Sequence, residues 1–207
     1  MAKDRLTFKK LTTPKGSALF CHLDKPNTKF DADGVYQATV VLNAEDNKDF
    51  LAELDQLAEE AFAHETESLK PGIKKKSICA KPYVLEEDSE GVETGNVLVR
   101  AKMKAIFRDK KTGKTYENAP RVFDGAKNSL DTDGLIVGNG STIRINVTPR
   151  PYYVASSNTA GVSLGLNAVQ VIELRSYGGN ADSYGFGEEG AGLSPADRGP
   201  SADDEGF

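Results

Sequence analysis

Arg100, Lys102 and Lys104 occupy every second position of the run Val97 to Phe107, against Val99, Ala101, Met103, Ala105 and Phe107. Alternation at period two describes a strand with one apolar face and one cationic face. Cations so spaced can be a solvated surface, or they can follow the phosphates of a nucleic-acid backbone laid across a sheet. Aromatic rings stand near further cations. Tyr116 follows Lys114, Phe123 follows Arg121, and Tyr152 and Tyr153 follow Arg150, with Arg144 on the segment before them. A ring in such company offers a face on which any base can stack, although each ring taken singly also reads as an ordinary core or surface residue. Tyr152 and Tyr153 are adjacent on a strand and so point to opposite faces, which leaves at least one outside the core.

Catalytic chemistry has little to work with. The histidines are His22 and His64, and the cysteines are Cys21 and Cys79. None falls into a metal-ligand spacing, and nothing marks the cysteines as a pair, so free thiols are expected with a disulfide left open. No phosphate-binding loop of the GxxxxGK[ST] form occurs, and Gly138-Asn139-Gly140-Ser141 reads as a turn. The acids form no recognisable catalytic constellation. A binding protein without metal or cofactor is therefore expected rather than an enzyme, with a metal-dependent nuclease kept as an alternative.

The net charge of −5 is unevenly distributed. Residues 177–207 carry seven acids and one base, Arg198, and end in Asp203-Asp204-Glu205-Gly206-Phe207. The preceding 176 residues are close to neutral. A segment so rich in Gly and acids buries too little apolar surface to offset the entropy of ordering it, and is expected to be disordered. A tail that only solvates gains nothing from a terminal ring. Asp203, Asp204, Glu205 and Phe207 instead suit a basic, partly apolar cleft or a partner protein. Two parts follow: a folded domain over 1–176 and an acidic tail over 177–207.

These residues need a scaffold. Strands are expected over Arg5–Leu11, Ser17–Leu23, Val35–Leu42, Ile78–Leu85, Val97–Phe107 and Ser141–Thr148, with Pro149-Arg150-Pro151 as a break. Tyr152-Tyr153-Val154 resumes extended structure, and Gly161–Leu174 is a last strand or strand pair with a bulge or bend at Gly165. Glu86–Asn96 reads as an acidic loop. Asn43 reads as the N-cap of one amphipathic helix over about residues 44–64, whose stripe is Phe50, Leu51, Leu54, Leu57, Ala58, Ala61 and Phe62. Many short strands, Gly- and Pro-rich turns and one helix describe a mainly β barrel or sandwich with an inserted helix. No apolar run is long enough to span a membrane, and no signal-peptide stretch follows Met1.

The last third adds a resemblance. Gly138-Asn139-Gly140-Ser141-Thr142-Ile143-Arg144-Ile145, then Pro151-Tyr152, then Gly161-Val162-Ser163-Leu164-Gly165-Leu166-Asn167-Ala168-Val169-Gln170-Val171 resembles bacteriophage single-stranded DNA-binding proteins. The helix, the acidic loop before Val97 and the tail ending in Phe207 fall in similar order. The resemblance implies an OB fold, a five-stranded Greek-key barrel with extra strands and hairpins. It implies sequence-independent binding of single-stranded DNA in phage replication, recombination or repair, in the cytoplasm of an infected bacterium. It further implies a tail that competes with DNA and recruits phage or host replication proteins such as polymerase or helicase/primase. The DNA-contacting residues come from the strand reading alone: Arg100, Lys102, Lys104, Tyr116, Phe123, Arg144, Arg150, Tyr152 and Tyr153. A homodimer through a strand edge or tail exchange stays open. The alternative from another class is a virion or assembly protein with a β-sandwich body.

Overall fold

The computed structural model describes residues 6–29, 31–109 and 112–175. In chain order the strands are β1 (Leu11–Thr12), β2 (Gly16–Asn27), β3 (Val35–Asn43), β4 (Ile78–Ala80), β5 (Val84–Glu87) and β6 (Glu93–Lys104). They continue with β7 (Ile106–Arg108), β8 (Thr115–Glu117), β9 (Arg121–Phe123), β10 (Ser129–Leu130), β11 (Thr142–Val154) and β12 (Thr159–Glu173). Helices α1 (Lys48–Thr66) and α2 (Pro71–Lys74) lie between β3 and β4. The acidic tail expected to be disordered, with Asp203, Asp204, Glu205 and Phe207, lies outside the described residues.

Five strands close on themselves. β2 pairs antiparallel with β3, β3 with β6, β12 with β11 and β11 with β2, while β6 and β12 meet in parallel. This is the expected Greek-key barrel of the OB type. Its interior holds Ala38, Val40 and Leu42 from β3, Val97, Val99 and Ala101 from β6, Ile143, Ile145 and Val147 from β11, and Val162, Leu164, Leu166, Val169 and Val171 from β12. The inward positions of β12 change from even to odd between Leu166 and Val169. The cause is a bulge at Asn167, because Asn146 pairs with Ala168 while Val147 pairs with Leu166. One extra residue flips the side-chain phase, so both halves of the strand keep their apolar residues inside. The bulge expected at Gly165 therefore sits two residues later. Asn167 holds it in place by donating through Nδ2 to Asn146 Oδ1 at 3.0 Å and to Thr148 Oγ1 at 2.9 Å.

The helix begins at Lys48, later than the expected cap at Asn43. Asn43 instead closes a turn, its Oδ1 accepting from the Asp46 amide at 3.0 Å, and Asn47 takes the cap position. Leu51, Leu54, Ala58 and Ala61 of the predicted stripe are buried, and α1 packs on β11 and β12. Lys81 anchors the β4–β5 connection to the polar side of α1 by donating to Asp55 Oδ2 at 2.8 Å. That hydrogen bond, then one to Tyr83, holds the Lys81 ammonium well above its usual range.

Two expectations about strand ends are corrected together. β11 does not break at Pro149-Arg150-Pro151 but runs through to Val154, paired with β12 throughout. The amide and carbonyl of Ile145 both face Thr13, on the side of β1. Positions two apart face the same way, so Pro149 and Pro151 turn their missing N–H groups toward that edge and leave the β12 ladder intact. The same prolines shorten the first strand. β1 pairs Leu11 with Val147 and Thr12 with Asn146. Continuing that register would set Lys9 opposite Pro149 and Thr7 opposite Pro151, neither of which has a donor to give. The strand expected from Arg5 is thus reduced to two residues. Likewise, Pro82 splits the expected Ile78–Leu85 strand into β4 and β5, and Glu86–Asn96 is a β5–β6 hairpin rather than a loop. Cys21 and Cys79 are free thiols, and burial is the largest cause pushing each above its ordinary range.

β4 joins the barrel through a close contact at Gly161, the parallel partner of Ala80. A Cβ there would stand 2.5 Å from the Ala80 carbonyl oxygen, which is backbone and cannot rotate away. Gly161→Ala should therefore destabilise the fold by about 1–3 kcal/mol. Urea denaturation should show a lower midpoint with an unchanged slope; an unchanged midpoint would mean that β4 is free to shift.

Candidate nucleic-acid interface

A groove of about 1220 Å³ opens where β6 ends. It is lined by Lys102 and Lys104 from β6, Phe107 and Tyr116 from the β7–β8 hairpin, Arg150 from β11, and Phe8 from the segment before β1. The strand alternation explains the cations. Val97, Val99 and Ala101 are buried while Arg100, Lys102 and Lys104 are exposed, so the ladder faces outward as its spacing predicts. Lys102 and Arg150 are both placed against Gly165. Gly165 is the parallel register partner of Lys102, and a Cβ on it would lie 3.1 Å from the guanidinium carbon of Arg150. The missing side chain is what lets Arg150 lie flat across the strand.

Phe107 is placed differently from its expectation as a core residue. The alternation of β6 stops at Ala105, and β7 pairs with β8 in a separate two-stranded sheet. Phe107 is 53% exposed and Tyr116 is 48% exposed, with ring centroids 6.4 Å apart. Two exposed rings thus stand beside three cations. The sequence signal was present in the cation beside it, Arg108, but the apolar alternation outweighed it.

The groove is not uniformly positive. Asp31 Oδ2 lies 3.3 Å from Lys104 Nζ, and Asp33 receives both terminal nitrogens of Arg108 at 2.7 Å each. The backbone amide of Asp33, and then Lys104, hold the Asp31 carboxyl below its ordinary range. The β2–β3 loop therefore carries acids that pair with Lys104 of the groove and with Arg108 next to Phe107, and the groove lining itself includes Glu65 and Glu117.

The other predicted residues fall elsewhere. Arg100 is exposed on the same face of β6 but does not line the groove. Phe123 and Arg144 line a second hollow of about 330 Å³ with Gln170, from the motif that carries the resemblance, and with Lys127, which no sequence pattern marks. Gln170 pairs with Arg144 on one side and Phe123 on the other, which sets those two residues on either side of it along one hollow. Arg144 Nε is buried there without a hydrogen-bond partner. Tyr152 and Tyr153 lie at the far end of β11, both half-buried, and Tyr153 Oη donates to Asn158 Oδ1 at 3.1 Å. The tail residues Asp203, Asp204, Glu205 and Phe207 lie outside the described residues. No group of His, Cys, Asp or Glu able to hold a metal occurs among the described residues.

The arrangement can bind a polyanion along the cations and stack flat rings beside them. Comparison with known proteins points the same way. A model of the family "Single-stranded DNA-binding protein, Bacteriophage T7" matches residues 15–174. The single-stranded DNA-binding protein of Escherichia phage T7 is 29% identical over 158 residues, spanning 73% of this chain and 67% of that protein. That of Enterobacteria phage T3 is 28% identical over 180 residues, spanning 83% and 76%. The crystal structure of gp2.5, the single-stranded DNA-binding protein encoded by bacteriophage T7, superposes with a TM-score of 0.63 at 26% identity, covering 91% of this chain and 100% of that one. The single-stranded DNA-binding protein from bacteriophage Enc34 in complex with ssDNA shares the fold, with a TM-score of 0.55 at 12% identity over 86% of this chain and 100% of that one.

The rim acids make a pH prediction. A depressed carboxyl contributes stability above its unfolded pKa and loses it as pH falls through the folded one. The Asp31 contacts should thus persist at neutral pH and loosen only below the ordinary value of 3.8. Carboxyl carbon shifts followed through an acid titration should place Asp31 below that value. In Lys104→Ala the midpoint should rise only part of the way, since the Asp33 amide remains; no rise would mean that Lys104 does not engage Asp31 in solution.

Proposed function

The chain belongs to the bacteriophage T7 single-stranded DNA-binding protein family, and from that premise we propose that it binds single-stranded DNA without regard to sequence during phage replication, recombination or repair. The observation that carries this reading is the groove itself, where Lys102, Lys104 and Arg150 stand beside the exposed rings of Phe107 and Tyr116. The cations neutralise phosphates, which is indifferent to sequence, and the rings accept any base. Arg100 extends the cationic line along β6. Phe123 and Arg144 in the second hollow, and Tyr152 and Tyr153 at the end of β11, are further contacts in this proposal. Sequence tolerance follows from the mechanism, since phosphates and π-faces are common to all nucleotides.

The acidic tail over 177–207 supplies the regulation. With seven acids and one base it resembles the ligand in charge, and Phe207 resembles a base in having a flat face. The tail competes for the groove when DNA is absent. When DNA enters, Asp203, Asp204, Glu205 and Phe207 become available to phage or host replication proteins such as polymerase or helicase/primase. The setting is the cytoplasm of an infected bacterium. A homodimer formed through tail exchange fits the same complementarity of acidic tail and cationic groove.

Two measurements test the parts separately. Replacing Lys102 and Lys104 together with Ala should flatten the slope of log affinity for oligo(dT) against log salt by roughly 1.4, about 0.7 for each lost phosphate contact; an unchanged slope would remove the end of β6 from the path. Deleting residues 182–207 should tighten binding, most at low salt, where two polyanions compete least screened. Equal affinities of the full and shortened chains across a salt titration would refute the competition.

A further inference from the structure

Phe20 stands in β2 with a backbone conformation that its residue type rarely adopts. Its φ is 50°, in the left-handed region where a non-glycine residue is strained, and its side chain is 58% exposed. The position is a bulge. Leu19 pairs with Thr39 and His22 pairs with Gln37, so three steps along β2 match two along β3. The extra residue pushes Phe20 outward while Cys21 stays half-buried. A bulge needing only the turn would take Gly or Asn, and an exposed ring adds little to the core. Strain maintained at an exposed aromatic directs attention to what the ring meets.

The conformation is held from both sides. The Phe20 amide donates to Asn139 Oδ1 at 2.8 Å, and the same turn supports the strand just before it. There the Ala18 amide donates to the Ser141 carbonyl at 2.7 Å and the Gly140 amide to the Ala18 carbonyl at 2.9 Å. On the other side the Phe20 carbonyl accepts from Gln37 Nε2 at 3.4 Å. Gln37 is the register partner of Lys102. A row therefore crosses the outer face of the barrel from His22 on β2 through Gln37 on β3 to Lys102 on β6, with the Phe20 ring at one end and the groove at the other.

We infer that Phe20 is a base-stacking residue, extending the single-strand path from the groove across β6 and β3 to β2. The inference rests on the proposed function and adds a residue and a direction to it. The cation at Lys102 takes a phosphate, and the ring takes a base at the β2 end of the row. Gln37 and Asn139 are positioning residues that hold the ring outward.

The chain contains no tryptophan, so Phe20→Trp introduces a unique fluorophore at the site. In the full-length protein its emission should be quenched on saturation with oligo(dT), and affinity should be kept. Phe20→Gly removes the ring and the strain together. It should weaken oligo(dT) binding by about 5- to 150-fold, the range for losing one stacked base. The slope of affinity against salt should be unchanged, since no phosphate contact is lost, and the urea midpoint should not fall. Unquenched emission from the Phe20→Trp variant at saturation, or Phe20→Gly binding within about twofold of the parent, overturns the inference while leaving single-strand binding in place. Failure of the parent chain to bind oligo(dT) overturns both.

Discussion

The barrel closes where β12 meets β6, and the register there rests on one parallel pair, Gly165 opposite Lys102. Each of the other four seams is antiparallel and runs over two or more register pairs. The scarce seam is also where the site is built. Lys102 projects outward from it, and the bare face of Gly165 gives Arg150 room to lie alongside. A side chain at 165 would crowd the Arg150 guanidinium, whose tip would have to move aside. The place of the Arg150 cation beside the closing seam is thus set by a missing atom.

Charge is placed with similar economy. Residues 1–176 are near neutral, yet β6 presents Arg100, Lys102 and Lys104 on one exposed face with no acid between them. Asp31 and Asp33 hold Lys104 and Arg108 in defined positions and orient them before any ligand arrives. Such exposed pairs contribute little to stability, and their effect is geometric: two long side chains lose freedom in advance. An overall acidic chain can present a basic groove in this way, since net charge does not report local arrangement.

The periodicity of the sequence carried the barrel strands well. The outward ladder of Arg100, Lys102 and Lys104 and the buried stripe of α1 follow directly from spacing two and from helical spacing. Lys102, Lys104, Tyr116 and Arg150 of the predicted contacts share one groove, while Phe123 and Arg144 share another. What spacing could not carry was register between distant segments. Asn167 is an ordinary polar residue until Asn146 and Thr148 are brought opposite it. Phe107 continues an alternation that the backbone abandons at Ala105. Phe20 sits in a regular strand pattern, and its strain arises from a turn more than a hundred residues away. Pro149 and Pro151 signal a break in isolation, and only the direction of the free edge shows why they are tolerated.

Those two prolines bear on how the chain meets other copies of itself. An exposed sheet edge is a row of unpaired donors and acceptors on which another copy of the chain can pair. A free edge with a full set of donors would invite a neighbour's strand to add to it and lead to aggregation. At Pro149 and Pro151 the edge of β11 offers no hydrogens to such a neighbour, while the opposite side of the strand keeps its full ladder with β12. The exposed side of β11 is thereby guarded against edge pairing without any loss on the side that closes the barrel.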